Sequence, residues 1–535
     1  MNSKHTLRAL ALAALVCPAL PAEVVTHLFT NWYGVDAGTA VFSVNRKQVD
    51  PDSLAVLEQV KDYYKIRIVD GEQPPERVDV PVGVRLRAEI AVKSEPWLKP
   101  EKPWESGGVG LEAVIQDGNL YRVWYGCGSA GRDKVVILPN GRKKLGSEEG
   151  SAGLCYAESK DGFQWKRPSL GIVEFQGSKE NNIVTEDPLI RGGTIFLDPL
   201  AGPEERYKLV ANTDLRQFDP AAKNVSPVLG GAVSPDGIHW RKLPEPLWSQ
   251  SFNNDGSPIV YHDTQTGLYV LFTRANYPRR RSIARAQTDD FRRWPHPEII
   301  LTPGPDEDPS DDFYTNPYLQ YPGAVNGHLM LVSTYHRDTS LVDLRLASSM
   351  DGAAWNWLSP RTVVKLGKPG AWDGGSLYAV PNMVRLPDGR VAVGFQAYNS
   401  AHEEYWRVKF ERGRERTEYA GWAIWEDGRI AGIEAEKAGV FTTLPLRATG
   451  QPIEINAKTG FSGSVRVEVL VEGEQPAAIS QEMNGNLLWH RIEWARGDLA
   501  SLAGKTIRLR FLLYNAKVFG FRGESLEIVS SYKRK

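Results

Sequence analysis

A seven-residue turn with the pattern Ser-x-Asp-Gly-x-x-Trp recurs along the chain. It reads SKDGFQW at 159–165, SPDGIHW at 234–240 and SMDGAAW at 349–355, and TDDFRRW at 288–294 is a degenerate copy. Asp and Gly favour tight turns, because an Asp side chain bonds to nearby backbone groups and glycine tolerates a positive φ. Self-similarity at long intervals is typical of repeat architectures. The turn therefore predicts a fold built from repeated units.

Each turn follows a run of β-rich sequence. The tryptophans that end the four copies lie 75, 54 and 61 residues apart, and a fifth unit ends at Asp427-Gly428 without the tryptophan. Two short apolar segments around a polar or glycine turn precede each copy, as in LEAVIQDGNLYRVWYGC, and predict a hairpin. A hairpin, a third strand, the turn and a fourth strand match one propeller blade. The sequence predicts an all-β protein with a five-bladed β-propeller over 104–438.

The flanking segments have other patterns. Residues 1–22 carry Lys4 and Arg8, an apolar stretch and small residues up to Ala22, which predicts a secretory signal peptide and a secreted or periplasmic protein. We expect 23–103 to contribute to the propeller or to a lid, with a helical pattern at 53–65. Strand patterns without the repeated turn predict a β-sandwich over 439–535.

Composition excludes some functions. The formal net charge is −1 with no long basic stripe, which argues against nucleic acid as a partner, and no segment after the leader is apolar enough to span a membrane. Cys127 and Cys155 lie on predicted neighbouring strands and form either a disulfide or two buried thiols. The 16 tryptophans and 20 tyrosines suit core packing or stacking on sugars. No cofactor is predicted; calcium is a candidate, although no EF-hand pattern is present.

The innermost strand of every blade starts near the mouth of a central funnel, so polar residues there are the candidate site. One such group occurs per unit: Trp104 and Glu105; Asn181, Asn182 and Asp187; Asn254 and Asp255; Asp311, Asp312, Tyr314 and Asn316; Trp372, Asp373 and Tyr378. Two groups that follow hairpins also reach towards this region: His336, Arg337 and Asp338; His402, Glu403 and Glu404. Asp161, Asp236 and Asp351, in the repeated turns, are assigned to structure.

Carboxylates beside Trp, Tyr, His and Arg suit glycoside chemistry. Cleavage of an acetal needs a proton donor for the leaving oxygen and a carboxylate that stabilises the cationic sugar, activates water or attacks directly. We predict Asp255 and Asp373 as the acid pair, with Glu105 and Asp312 as alternates. The predicted substrate contacts are Trp104, Tyr314, His336, Arg337, Tyr378 and His402.

The motifs PWE, YRVWYG, YAESKDGFQWKRPSLG, NNIV, YTNPYLQYPG, LRLASSMDGAAWNW and WDGGSLY resemble the five-bladed propeller glycoside hydrolases, the group that contains glycoside hydrolase families 43 and 32. The resemblance covers roughly 100–435 and implies three catalytic acids on the first three blades. This chain offers Glu105 in place of the usual Asp, then Asp187 or Asp198, and Asp255 in place of Glu. The repeated turn also resembles the sialidase Asp-box, but it is one residue shorter.

These observations predict a secreted glycoside hydrolase that acts on a poly- or oligosaccharide through paired carboxylates. The alternatives are a non-catalytic carbohydrate-binding propeller, in which aromatic stacking alone holds the sugar, and a protein-interaction scaffold. The basic cluster of Arg279, Arg280, Arg281 and Arg285 is either a solvated loop or an approach to the funnel that favours a uronate or sulfated sugar.

Overall fold

The computed structural model describes residues 23–45, 48–61, 66–70, 76–78, 80–129, 132–137, 143–148, 151–222, 227–248, 258–276, 280–404, 416–471 and 475–529. The predicted leader at 1–22, together with Asn254, Asp255 and Arg279, lies outside these ranges. The all-β prediction is confirmed: the described residues contain one α-helix, α1 (Pro51–Val60), and are otherwise strands, turns and short 3₁₀ segments. The Asp50 side chain caps α1 by accepting a hydrogen bond from the backbone N–H of Ser53.

The strands, in chain order, are β1 (Val24–Leu28), β2 (Thr39–Val44), β3 (Ile66–Asp70), β4 (Glu76–Val78), β5 (Arg85–Ala88), β6 (Val92–Lys93), β7 (Val109–Asp117), β8 (Leu120–Cys127), β9 (Arg132–Ile137), β10 (Lys143–Glu148), β11 (Gly153–Ser159), β12 (Ile183–Thr185), β13 (Gly193–Leu197), β14 (Tyr207–Asp214), β15 (Pro227–Ser234), β16 (Arg241–Lys242), β17 (Ile259–Asp263), β18 (Leu268–Asn276), β19 (Arg281–Thr288), β20 (Glu298–Leu301), β21 (Asp311–Thr315), β22 (Tyr318–Gln320), β23 (His328–His336), β24 (Val342–Ser349), β25 (Trp355–Val364), β26 (Ser376–Arg385), β27 (Val391–Tyr398), β28 (Glu418–Trp425), β29 (Ala431–Thr442), β30 (Leu446–Arg447), β31 (Ile453–Leu470), β32 (Pro476–Ser480), β33 (Asn486–Arg491), β34 (Trp494–Arg496) and β35 (Thr506–Glu524). The 3₁₀ segments are Pro103–Glu105, Ile190–Gly192, Pro203–Glu205, Leu215–Gln217, His402–Glu404 and Ala500–Leu502.

Three four-stranded antiparallel sheets and one nine-stranded sheet follow one another from β7 to β28, and we call the two halves of the nine-stranded sheet sheet 4 and sheet 5. Sheet 1 contains β7, β8, β11 and β12, sheet 2 contains β13 to β16, and sheet 3 contains β17 to β20. Sheet 4 starts with β21 and β22 and continues through β23, β24 and β25. Sheet 5 contains β26, β27 and β28, and its fourth strand is β6 from the N-terminal segment. A parallel pairing of Val342 on β24 with Ser376 on β26 joins sheet 5 to sheet 4. Strand β7 packs against both β13 of sheet 2 and β26 of sheet 5, so the first and last sheets are neighbours.

The repeated turns share one hydrogen-bond pattern. In the first copy Ser159 Oγ accepts from the N–H of Gly162 at 2.9 Å, and Asp161 Oδ1 accepts from the next two backbone N–H groups, both at 2.8 Å. The Trp165 indole donates to the Gly162 carbonyl, and Gly162 has a φ of 79°. The other two full copies make the same set of bonds. The structural role predicted for the turn aspartates is therefore observed.

Each turn packs against the preceding sheet. The Gly237 carbonyl of the sheet 2 turn accepts a 2.6 Å hydrogen bond from the Trp124 indole of sheet 1. The Gly162 carbonyl of the sheet 1 turn accepts one of 2.8 Å from the Trp422 indole of sheet 5. The remaining turns contact the preceding sheet through Phe291 with Phe196, Gly352 with Tyr261, and Asp427 with Tyr321. The contacts therefore run in order through all five sheets, and the first turn lies on the last sheet.

The C-terminal region has its own sheet and apolar core. Long, bulged strands β31 and β35 pair along most of their length, and the strand order is β34-β32-β31-β35-β29-β5, with β1 and β30 on β35 and β33 on β31. Phe441 and Phe511 stack with ring centroids 4.8 Å apart, and Phe29 packs edge-on against Phe441. Trp489 links this region to sheet 5 by donating to Asp427 at 2.8 Å. A β-sandwich there stays a prediction.

Smaller features complete the fold. Strands β2, β3 and β4 form a separate sheet, and β9 and β10 form a hairpin inserted between β8 and β11. A disulfide joins Cys127 on β8 to Cys155 on β11, which resolves the two alternatives left by the sequence. Within the ranges described, no helix combines the length and the apolar character required to cross a membrane.

Candidate functional site

The first strands of all five sheets line one cavity of about 340 Å³. Its wall includes Glu112 from β7, Thr194 from β13, Ile259 from β17, Tyr314 from β21 and Tyr378 from β26. These positions are far apart in the sequence and meet because each starts a sheet that packs on its neighbours. The first strands therefore meet at one cavity, while a central funnel of a closed propeller stays a prediction.

Glu112 occupies an irregular position in β7. Leu111 pairs with Tyr125 and Ala113 pairs with Trp124, so Glu112 is the extra residue of a β-bulge. Bulges redirect side chains and are frequent beside active sites. Removal from bulk water, assisted by the negative charge of Glu418, raises the pKa of Glu112 to about 8. Its carboxyl group is therefore mainly protonated at neutral pH.

Glu418 is the second carboxyl group in the cavity. It lies on β28, and its Oε1 accepts a 2.6 Å hydrogen bond from the Tyr398 hydroxyl of β27. Burial raises the pKa of Glu418 above its usual value, although the charge of Arg416 and the bond from Tyr398 oppose this rise. The structure thus holds two carboxyl groups with raised pKa values in one cavity.

Three glycines leave space for these carboxyl groups. A Cβ atom at Gly108 would lie 2.6 Å from Glu418 Oε2, and the residue has a φ of +123°, which disfavours any other residue. A Cβ at Gly110 would lie 3.7 Å from Glu418 Oε1, and one at Gly126 would lie 3.8 Å from Glu112 Oε1. The two acids therefore flank the same side-chain-free stretch of sheet 1.

Tyrosines and an arginine line the rest of the cavity. Tyr314, Tyr378 and Tyr398 contribute to its wall together with Arg274, whose guanidinium lies 4.4 Å from the centre of the Tyr314 ring. His402 is hydrogen-bonded to the hydroxyl groups of both Tyr314, at 2.9 Å, and Tyr378, at 2.6 Å. Two of the predicted contacts, Tyr314 and Tyr378, thus line this cavity, and a third, His402, is hydrogen-bonded to both without lining it.

Glu105 is held by a different set of partners. It is fully buried, and its Oε1 accepts hydrogen bonds from the Tyr125 hydroxyl at 2.6 Å and from Arg167 Nε at 2.8 Å. Its Oε2 accepts from the backbone N–H groups of Glu101 and Lys102. This carboxylate fixes the segment before β7 and is not among the residues that line the cavity. The neighbouring Trp104 indole donates to Asn182 Oδ1 at 2.7 Å.

Asp312 is paired with two arginines. It accepts hydrogen bonds from Arg337 Nε at 2.9 Å and from Arg281 Nη1 at 2.8 Å. Burial alone would raise its pKa, but the bonds from Arg337 and Arg281 outweigh burial and hold the pKa of Asp312 below its usual value. An ionised, doubly paired carboxylate cannot donate a proton at neutral pH. The predicted contact Arg337 is engaged in this pair.

His336 belongs to an ion cluster on sheet 4. Its Nδ1 lies 2.6 Å from Asp311 Oδ1, and its Nε2 lies 3.5 Å from Asp343. Hydrogen bonds to Asp311 and then Asp343 raise the pKa of His336 to about 9. Arg345 also binds Asp311, at 2.8 Å. The positive charges of His336 and Arg345 are thus balanced by the carboxylates of Asp311 and Asp343.

Asp373 lies at the outer side of sheet 5. Its carboxylate forms an ion pair with Lys93 of the outermost strand β6, and its backbone carbonyl accepts from the N–H of Gly367 at 3.0 Å. The turn before β26 folds back towards β6, which carries Asp373 away from the residues that line the cavity. Asp255 lies outside the described residues, so its pairing with Asp373 stays a prediction.

Sequence reasoning missed Glu112 and Glu418. The predicted site residues lie before or after the hairpins, whereas Glu112 and Glu418 lie inside strands. A lone glutamate in the apolar run LEAVIQ is a signal that was available for Glu112, because a strand buried in a sheet carries an acid only with a specific environment. Among the residues that the structure describes, no group of three or more His, Cys, Asp or Glu side chains is arranged to hold a metal ion.

Comparison with known proteins gives only distant structural similarity. No family model matches the chain, and no curated protein does so. An N-acetylgalactosamine deacetylase from F. plautii in complex with blood group B trisaccharide is 15% identical over 64% of this chain and 96% of that one, with a TM-score of 0.41. A beta-1,2-mannobiose phosphorylase from Listeria innocua is 11% identical over 64% and 98%, with a TM-score of 0.41. An alpha-L-arabinofuranosidase from Podospora anserina is 12% identical over 64% and 98%, with a TM-score of 0.39. At TM-scores below 0.5 these similarities carry no conclusion about this chain.

Proposed function

We propose that the five sheets form a closed five-bladed β-propeller, followed by a β-sandwich, in a protein exported through a signal peptide at 1–22. The contact of the sheet 1 turn with Trp422 of sheet 5 supports closure, as does the packing of β7 between β13 and β26. The pattern of residues 1–22 supports export.

We propose further that the cavity cleaves glycosidic bonds by hydrolysis. The observation that carries this proposal is the pair Glu112 and Glu418, two carboxyl groups with raised pKa values in a cavity bordered by tyrosines. Glycosidases use one protonated and one ionised carboxyl group on either side of the scissile bond. The two residues share a cavity and differ in environment, which separates their roles.

Glu112 is the proton donor in this mechanism. Its protonated carboxyl gives a proton to the leaving glycosidic oxygen as the bond to the anomeric carbon breaks, and Glu112 is left as a carboxylate. Glu418 supplies the opposing carboxylate: burial raises its pKa, but the Arg416 charge and the Tyr398 hydrogen bond oppose this rise, and the negative charge of Glu418 is what helps to keep the proton on Glu112. It either removes a proton from the attacking water or attacks the anomeric carbon directly, and the separation of the two carboxyl groups decides between these routes.

A non-catalytic carbohydrate-binding propeller is the second candidate. This candidate is favoured because Glu105, Asp312 and Asp373, the acids predicted from the sequence, each form an ion pair. The tyrosines that line the cavity are suited to stacking on a sugar ring. In this alternative Glu112 would act only as a hydrogen-bond donor to a sugar hydroxyl.

A panel of plant and algal polysaccharides and their oligosaccharides, including xylotriose, cellotriose and oligogalacturonides, tests both candidates. Purified protein is incubated with each substrate, and the products are separated by chromatography. We expect turnover of at least one substrate and a loss of 10²-fold or more, by an order-of-magnitude estimate, in Glu112→Gln and Glu418→Gln, with binding retained. Glu180→Gln, an isosteric change at an exposed position, is the matched control.

The outcomes separate the candidates. Binding without turnover in the wild type would favour the carbohydrate-binding propeller. Turnover that survives in both cavity variants would remove Glu112 and Glu418 from the mechanism. Neither binding nor turnover across the panel would contradict both candidates.

A further inference from the structure

His402 connects two tyrosines that come from different sheets. It starts the short turn His402–Glu404 after β27, and its backbone N–H donates to the carbonyl of Ser340, in the loop between β23 and β24, at 2.8 Å. Its ring packs edge-on against Tyr314 and Tyr335, with centroids 4.9 Å and 5.3 Å away. The imidazole is therefore fixed by contacts from sheets 4 and 5.

Both ring nitrogens of His402 are used. Nε2 lies 2.9 Å from the hydroxyl oxygen of Tyr314, and Nδ1 lies 2.6 Å from that of Tyr378. A neutral imidazole has one N–H donor and one nitrogen acceptor, so one tyrosine accepts from the ring and the other donates to it. N–H donors make hydrogen bonds near 2.9–3.0 Å, and O–H donors make shorter ones. The longer distance at Nε2 favours the tautomer in which Nε2 donates to Tyr314 and Tyr378 donates to Nδ1.

The surroundings keep His402 neutral. Burial lowers the pKa of His402, and the positive charges of Arg281, Arg274 and Arg416 lower it further, against an opposing effect of Glu403. The single proton on the ring therefore persists at neutral pH. In the Nε2–H tautomer the Tyr314 hydroxyl is free to donate its proton to another acceptor, whereas the Tyr378 hydroxyl donates its proton to the ring.

We propose that His402 is a positioning residue and that Tyr314 and Tyr378 form a subsite for two neighbouring hydroxyl groups of a sugar ring, with Tyr314 donating a hydrogen bond and Tyr378 accepting one. This subsite rests on the proposed function, because it requires a carbohydrate in the cavity. A vicinal diol can accept at one oxygen and donate from the other, which matches the two tyrosines. Both tyrosines are among the residues that line the cavity, and their ring centroids are 6.1 Å apart.

Two arginine side chains also contact the Tyr314 ring. The Arg274 guanidinium lies 4.4 Å from its centroid and that of Arg281 lies 4.9 Å from it. Cation–π contacts of this kind hold an aromatic ring in one orientation. Removing the hydrogen bond to His402 should therefore change the polarity of the Tyr314 hydroxyl more than the position of the ring.

Nitrogen NMR of the histidine side chains tests the positioning role without any ligand. The full chain is labelled with ¹⁵N-histidine, and His402→Gln identifies the signals of His402. We expect the Nε2–H tautomer at neutral pH, with Tyr378→Phe shifting mainly the Nδ1 signal and Tyr314→Phe mainly the Nε2 signal. Tyr335→Phe is the control, because Tyr335 contacts His402 through its ring. An exchanging mixture of tautomers, or a doubly protonated ring at neutral pH, would overturn the assignment.

Binding of xylotriose and cellotriose to the Glu112→Gln background, measured by calorimetry, tests the subsite. For the trisaccharide that binds, Tyr314→Phe and Tyr378→Phe should each weaken affinity about tenfold, the loss of one hydrogen bond. The loss in His402→Gln combined with Tyr314→Phe should be smaller than the sum of the two single losses, since His402 acts on the Tyr314 hydroxyl as well as on that of Tyr378. Unchanged affinity in the two phenylalanine variants would overturn the subsite. Absence of binding by every oligosaccharide of the panel would overturn the proposed function and the subsite with it, while the NMR result still decides the role of His402.

Discussion

Replacing Gly237 with alanine should destabilise the protein through its contact with the preceding sheet. Gly237 has a φ of +78°, and a Cβ atom there would lie 2.5 Å from Cζ2 of Trp124. Trp124 is fully buried and donates its indole N–H to the Gly237 carbonyl. The ring has no room to retreat without breaking this bond, so the added methyl group forces the turn away from sheet 1.

The expected loss in the free energy of unfolding of Gly237→Ala has two parts. A left-handed backbone costs a non-glycine residue about 1–2 kcal/mol, and overpacking of a filled core costs about 1–3 kcal/mol more. Gly267→Ala is the matched control, because Gly267 has a φ of +72° and no atom within 4 Å of the added Cβ. Gly267→Ala should therefore lower the free energy of unfolding only through its left-handed backbone conformation. The free energy of unfolding should therefore differ between the two variants by about 1–3 kcal/mol.

Urea unfolding followed by tryptophan fluorescence measures the difference, with hydrogen exchange of β8 and β15 reporting the local effect. A chain of this size need not unfold in one step, so the first transition is compared between variants. We expect faster exchange at both strands in Gly237→Ala and not in Gly267→Ala. Equal destabilisation by the two substitutions would refute the idea that the repeated turn anchors one sheet to the next.

Three other predictions concern ionisation and cross-linking. Between about pH 4.5 and 8 the folded state keeps the Glu112 proton and the unfolded state releases it, so Glu112 should lower stability as pH rises through this window, by at most about 5 kcal/mol. Glu112→Gln should remove this contribution and make the slope in thermal scans shallower. Replacement of both Cys127 and Cys155 by alanine should lower the free energy of unfolding by about 3–4 kcal/mol, because the disulfide closes a loop with a sequence separation of 28. Reduction of the wild-type disulfide with dithiothreitol should lower the free energy of unfolding by the same amount. The interaction of protonated His336 with Asp311 stabilises the folded protein. This stabilisation is fully present below pH 6.5, the pKa of His336 in the unfolded chain, and is lost as pH rises through about 9. His336→Gln should therefore flatten the plot of stability against pH between these values. An unchanged slope in either titration series would contradict the corresponding pKa direction.

Local chemistry made the turns predictable from the sequence. Asp161 and Gly162 form their turn through bonds to residues within three positions, so a short pattern carries the whole signal. The hairpins were predictable for the same reason, since alternating apolar residues around a turn suffice. The cavity followed from the repeat, because repeated sheets bring their first strands together.

The acids were less predictable because their partners lie far away in sequence. Glu105 is visible as an acid before β7, but Arg167, 62 residues further on, commits it to an ion pair. Asp312 likewise forms an ion pair with Arg281, which lies 31 residues before it in the sequence. Glu112 enters the cavity because of a bulge, and the register of β7 against β8 is decided by packing rather than by local pattern.

The most direct test of the account is a titration of the Glu112 carboxyl group itself. Carbon NMR of ¹³C-glutamate-labelled protein, with Glu112→Gln to identify the signal, gives its midpoint. We predict a midpoint near 8 that falls in Glu418→Gln, because the neighbouring negative charge is removed. A midpoint near 4.5, the ordinary pKa of a glutamate, and unaffected by Glu418 would mean that Glu112 is no proton donor at neutral pH and would contradict the proposed mechanism.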